Sequence, residues 1–272
     1  MYLTLSRVEP SDFDAILPVL FEAFDPIELS AVFFGKASPK NLALRKKKIL
    51  ESFHNDPADT WLKITDEDEE IEVDVIDEHF AEEGEGHLSG KTVKGRKRVK
   101  RIVCASNWKV YPTFVEPKQV QEAVEVRDAV ANGDGDIEAS HEKKAKGSDL
   151  TWLPTPAERA DAHIILEDFL ARRLRACREG HILLYILFVD PAYQRKGAGA
   201  MMVEWGCMLA DQLMLPAWVE ASSYGHGLYK KYGFEDVENV RVVTNSFVGE
   251  YTHMRRPVKV RGFMEKELVK FY

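Results

Sequence analysis

Hydrophobic residues along this 272-residue chain alternate between strand-like and helix-like spacing. Residues 2–8 (YLTLSRV) read as a first strand. Phe13, Ile16, Leu17, Leu20 and Phe24 then recur at helical spacing, with Ser11 placed three residues before Asp14 to open the helix. Pro18 lies inside that pattern and predicts a kink or a break. A turn-rich connection over 25–39 carries Phe33 and Phe34, and a second helix follows over 40–53. WLKIT at 61–65 and RIVCASNWK at 101–109 alternate as strands do. Helices are expected over 119–131 and over 157–178, the latter with a stripe of Leu166, Phe169, Leu170, Leu174 and Cys177 and with Gly180 as its stop. HILLYILFV at 181–189 is apolar on both faces, which predicts a central strand covered on both sides. After it comes a helix whose apolar face is Met201, Met202, Trp205, Met208, Leu209 and Leu213, closed by Pro216. There is no internal repeat.

Between the second and third strands the composition changes. Residues 66–85 are mostly acidic and 91–101 (KTVKGRKRVKR) strongly basic. A nuclear-import or anion-binding patch would leave the basic block open, but the preceding acidic block screens it. The excursion over 66–100 therefore reads as a solvated segment between sheet strands, self-paired as a hairpin. A polar loop spans 132–156. We take residues 1–272 as a single domain.

Charge and cysteine content narrow the function. A net charge of −8 speaks against a nucleic-acid or membrane binder and fits a cationic partner. The longest apolar run is far short of the ~20 residues that span a bilayer. The opening MYLTLSRVEP lacks a basic segment followed by an apolar one, so secretion is not expected. Cys104, Cys177 and Cys207 have no CxxC spacing. They read as reduced, buried thiols of a cytoplasmic protein, with no disulfide framework and no metal site.

The chemistry concentrates after the 181–189 strand. Asp190-Pro191 ends it, and QRKGAGA (Gln194, Arg195, Lys196, Gly197, Ala198, Gly199, Ala200) leads into a helix. The first N–H groups of a helix lack intrahelical acceptors and sit at its positive end, which makes such a junction an anion cradle. Gly197 and Gly199 allow close approach of the backbone. Neither a P-loop (GxxxxGK[ST]) nor a dinucleotide GxGxxG pattern is present.

QRKGAG after VDP resembles the Q/R-x-x-G-x-G/A signature of the GCN5-related N-acetyltransferase (GNAT) superfamily, and AWVEASSYGHGLYKKYGF (217–234) resembles that family's next strand and short helix. The Glu-Ala-Ser strand ending is similar to fungal members. The resemblance implies an α/β fold with a splayed, mostly antiparallel central sheet flanked by helices. It also implies acetyl-CoA as co-substrate, with its pyrophosphate on the amides of 194–200. The amides of Leu187 and Val189, with Phe188 between them, would face the thioester and pantetheine, and Tyr229 would serve as general acid to the departing thiolate. Glu220 is the best candidate for general base; a structural role for it, with water relaying the proton, is the open alternative. Asp190 braces the loop, His226 is a proton relay or a solvated turn residue, and Tyr232 is packing. The acceptor pocket would draw on 25–36 and 244–251. The expected activity is acetyl transfer to a primary amine, by preference of a small molecule. Protein lysine or N-terminal acetylation, and acyl-CoA binding without turnover, remain alternatives.

Overall fold

A computed structural model describes residues 1–25, 27, 29–77, 93–113 and 150–259. Among these, seven strands form one sheet in the order β1-β2-β3-β4-β5-β7-β6, and six α-helices accompany it. The strands are β1 (Leu3–Arg7), β2 (Asp59–Ile76), β3 (Val93–Tyr111), β4 (His181–Val189), β5 (Ala217–Ala221), β6 (Glu235–Val243) and β7 (Val248–Arg256). Every neighbouring pair is antiparallel except β4 with β5. The helices are α1 (Phe13–Phe24), α2 (Ser30–Phe34), α3 (Pro39–Asn55), α4 (Pro156–Ala176), α5 (Ala198–Leu213) and α6 (Ser223–Lys231). This is the mixed α/β, mostly antiparallel splayed sheet that the sequence implied, with β4 at its centre. The helix expected over 119–131 and most of the polar loop lie outside the described residues.

The charged excursion is the distal half of a β2–β3 hairpin, as far as it is described. Glu70, Glu72 and Asp74 stand opposite Lys100, Arg98 and Arg96, so unlike charges face each other across the strands. Ile71, Val73 and Val99 turn to the other side, against α1 and α3.

Ser11 is not the cap of α1. A 3-10 turn over Pro10–Asp12 precedes the helix, and the reciprocal capping bonds link Glu9 with Asp12. Asp14, freed of that duty, is buried. Its carboxylate accepts from Lys46 at 2.8 Å, from Lys97 at 2.8 Å and from the Ile76 amide at 3.1 Å. One buried anion thus ties α1 to α3 and to the hairpin. Pro18 lies inside α1 on its exposed face, and the helix runs on through it to Phe24. The connection over 25–39, read as turns, contains the short helix α2.

Two helical faces are rotated from their expected positions. In α4 the buried residues are Ala162, Ile165 and Phe169, while Leu170 is exposed, and the cap is Cys177 rather than Gly180. In α5 the buried face is Met202, Val203, Gly206, Cys207 and Ala210, leaving Met208 and Leu213 exposed. Small residues on α5 admit Trp108, which packs directly over Gly206. The three cysteines are buried and unpaired. None of the described helices is long and apolar enough to cross a membrane.

Candidate functional site

β4 and β5 form a fork. They pair only through Ile182, Leu183 and Leu184 with Ala217, Trp218 and Val219. Beyond that, residues 186–189 of β4 pair with β3 alone. The register explains which amides are left open. Asn107 faces Ile186 and Trp108 faces Leu184, so Tyr185 is an extra residue, a bulge at the vertex of the fork. Before the bulge, the Ile182 amide donates toward β5, to the Pro216 carbonyl. After it, the Asp190 amide donates toward β3, to the Val103 carbonyl. Alternation along the strand then turns the Phe188 amide toward β3 and the Leu187 and Val189 amides into the fork.

The loop beyond β4 is braced from below. Asp190 Oδ1 accepts from the Ala192 amide at 2.8 Å, and its Oδ2 accepts from Arg101 Nη2 at 2.8 Å. Arg101 also donates to Glu69 Oε1 at 2.8 Å. The Tyr193 hydroxyl lies 2.9 Å from Asp66 Oδ2 and 2.5 Å from Glu69 Oε2. Burial and then these two carboxylates push the Tyr193 phenol above its usual range. Part of the acidic block therefore supports the loop, a role its composition did not reveal.

Gln194, Arg195, Lys196 and Gly197 are exposed. Arg195 and Gly197 hold left-handed backbone, φ 62° and 96°. Gly197 is the N-cap of α5 and no side chain caps the helix; the Met201 amide makes the first bond back, to the Gly197 carbonyl at 3.1 Å. The amides of Ala198, Gly199 and Ala200 consequently have neither a helical acceptor nor a capping side chain. A Cβ on Gly199 would lie 3.4 Å from Val189 and 3.5 Å from Leu228, so this turn abuts the end of β4. Lys196 is held over the Tyr193 ring, its Nζ 4.7 Å from the centroid.

Tyr229 is buried at 7% exposure on α6, against Gly225 and 5.8 Å from the Phe234 ring. Burial, and secondarily the Cys104 thiol, push its phenol above the usual range. Cys104 is the β3 residue opposite Val189, and Tyr229 packs in the same apolar cluster as Cys104 and Val189, at the open end of β4. Tyr232 caps α6, and Gly233 continues the turn at φ 87°. His226 turns instead to Asp236, at 2.9 Å. Burial raises the Cys207 thiol to about 11, which fits packing rather than nucleophilic chemistry.

Glu220 stands on β5 next to the vertex, held by groups the sequence reading missed. Arg173 of α4 donates to both carboxylate oxygens, and His253 Nε2 of β7 lies 3.1 Å from Oε1. Burial pushes the carboxyl up, but the Arg173 charge and the His253 and Arg173 hydrogen bonds outweigh it and bring Glu220 to about 2. The Arg173 guanidinium also lies over Phe169 at 4.8 Å and over Tyr185 at 5.2 Å. Arg173 follows Phe169 by one helical turn, a spacing that could have flagged it.

An aromatic wall continues from the fork through side chains in ring contact: Phe188, Phe24, Phe34, Phe33, Phe169 and Tyr251. It joins the two segments expected to shape an acceptor pocket.

Residues 161–236 match the family model described as "Acetyltransferase (GNAT) domain". Over that segment the chain is similar to GNAT domains. The matched GNAT region takes in the fork, the loop, Glu220 and Tyr229. A curated relative, "Probable acyltransferase SID5" of Ajellomyces capsulatus, is 27% identical over 70 residues, covering 26% of this chain and 52% of that protein, about half its length. Among solved structures, a mosquito arylalkylamine N-acetyltransferase like 5b aligns with TM-score 0.54 at 12% identity, covering 94% of this chain and 99% of that one. Arylalkylamine N-acetyltransferase 2 from Aedes aegypti gives 0.52 at 13%, covering 95% and 100%. The Drosophila melanogaster polyamine N-acetyltransferase gives 0.51 at 11%, covering 93% and 98%. At these identities the structures establish that the GNAT fold is shared.

Proposed function

We propose that the chain transfers an acetyl group, or another short acyl group, from coenzyme A to the primary amine of a small molecule, by direct attack in a ternary complex. One observation carries this reading: an unpaired strand edge at 187–189 runs into three uncapped helical amides, with Tyr229 beside it. An extended pantetheine arm suits the first feature, by strand addition. A diphosphate suits the second.

The chemistry follows from these positions. The neutral amine nitrogen attacks the thioester carbon, the C–N bond forms, and the C–S bond breaks. The Leu187 amide donates to the carbonyl oxygen as charge develops there; loss of a comparable donor elsewhere costs about 3 kcal/mol. Tyr229 stays protonated and donates to the departing sulfur, whose conjugate thiol has a free pKa of ~8.5. Glu220, drawn to about 2 by its partners, is too weak a base for an ammonium. We assign it the structural alternative, anchoring Arg173 and His253 at the vertex, and assign the proton to water. The named activities of the arylalkylamine and polyamine neighbours support a small-amine acceptor.

A thiol-release assay with acetyl-CoA and a panel of small amines tests the proposal. Turnover of free amines, with no mass change in lysine or N-terminal peptides, is expected. Binding of coenzyme A without thiol release from any acceptor contradicts it.

A further inference from the structure

Arg45 of α3 is half-buried, and no carboxylate among the described residues meets its guanidinium. Arg173 is paired with Glu220, Arg256 with Asp211, and Arg101 with Glu69 and Asp190. Arg45 instead donates to the Phe33 carbonyl, and its guanidinium lies 4.9 Å from the Phe34 centroid and 5.6 Å from the Trp152 ring. Burial lowers it to about 10, with Tyr185 acting weakly in the opposite direction. A cation withdrawn from water without an anion is costly, so a protein keeps one where a ligand supplies the missing charge.

The position says which ligand. Phe33 and Phe34 belong to the aromatic wall that leads to the fork, and the Arg45 guanidinium lies against the Phe34 ring of that wall. The guanidinium thus stands on the acceptor side, across β4 from the α5 amides. At the far end of the same wall the Tyr251 hydroxyl is buried and has no hydrogen-bond partner among the described residues. This wall therefore holds two polar groups whose bonding is incomplete.

We propose that Arg45 binds a carboxylate carried by the acceptor, so that the preferred substrate is an amine with an acidic group at its far end and an apolar body against the phenylalanines. The inference rests on the acyl-transfer reading above. A guanidinium matches a carboxylate in charge and in its paired donors. Loss of such a charge-assisted contact is worth about tenfold or more in discrimination.

Matched probes separate the terms: 4-(aminomethyl)benzoate against benzylamine, and 5-aminopentanoate against pentylamine, each with acetyl-CoA and the full chain. Expected is a kcat/KM at least about tenfold higher for the carboxylate member. Arg45→Gln should reduce that ratio about tenfold, through KM, with coenzyme A affinity unchanged, and Arg45→Lys should restore part of it. A wild-type protein that binds coenzyme A but favours the neutral members, or turns over neither, overturns the assignment. So does an Arg45→Gln protein that keeps the wild-type ratio. Failure to bind coenzyme A is a different result and removes the acyl-transfer reading itself.

Discussion

Glu220 takes two hydrogen bonds from a single guanidinium, from Arg173 Nε at 2.7 Å and Nη2 at 2.9 Å, beside the point where β4 and β5 part. The pair is buried, with the carboxylate side chain 6% exposed and that of Arg173 14%. Removing one charge strands the other. Glu220→Gln is therefore expected to destabilise the fold by about 3–5 kcal/mol, read by urea unfolding, and the double Glu220→Met, Arg173→Met variant to recover most of that. Wild-type stability in Glu220→Gln, combined with a large loss of kcat, would restore the general-base role.

Acid stability carries the same signature. Burial raises the Glu220 carboxyl, yet Arg173 and His253 hold it at about 2, below the 4.5 of an unfolded glutamate. A folded value below the unfolded one gives stability that is complete above about 4.5 and is lost as the pH falls toward 2. Asp14 acts in the same sense: burial opposes its ionisation, and the Lys46, Lys97 and Ile76 hydrogen bonds prevail. The urea midpoint of the wild type should fall steadily between pH 5 and pH 2.5, about, with a shallower fall in Glu220→Gln. Parallel curves for the two proteins would mean that Glu220 does not titrate in this window.

Tyr229→Phe should lower kcat about tenfold or more while leaving coenzyme A affinity within about twofold, because its hydroxyl acts on the leaving sulfur. Tyr232→Phe is the control, expected to match the wild type. Single-turnover thiol release distinguishes them, and equal rates in all three proteins would remove Tyr229 from the chemistry.

At Gly206 a Cβ would lie 2.1 Å from Trp108 Cζ2. The indole is fully buried between β3 and α5 and has no room to retreat. Gly206→Ala should cost about 1–3 kcal/mol or more by overpacking, seen as a lower denaturation midpoint at unchanged slope.

Local pattern carried much of the fold into view, and the failures share a cause. The β4 strand, the GAG turn and α6 were legible because their signals lie within a few residues: an apolar run, glycines at a helix start, a glycine after a tyrosine. The faces of α4 and α5 were misjudged because apolar periodicity cannot tell a core-facing Met202 from a solvent-facing Met208. Small residues mark the true contact, since Gly206 and Ala210 let the sheet approach. Asp14 looked like a cap by spacing, and only tertiary structure brings Lys46 and Lys97 to it. His253 and Arg45 were invisible for the same reason, and the helical spacing of Arg173 from Phe169 did not name Glu220 as its partner. Each takes its meaning from partners on other elements, 47 positions away in the case of Arg173 and Glu220.

Calorimetric titration with coenzyme A probes the fork and the α5 amides most directly. Binding in the micromolar to low-millimolar range is expected, with a raised melting temperature, and both effects should disappear in Gly199→Glu, which sets a carboxylate against the free amides. No heat and no melting shift for the wild type at millimolar coenzyme A would contradict the cradle and the acyl transfer built on it.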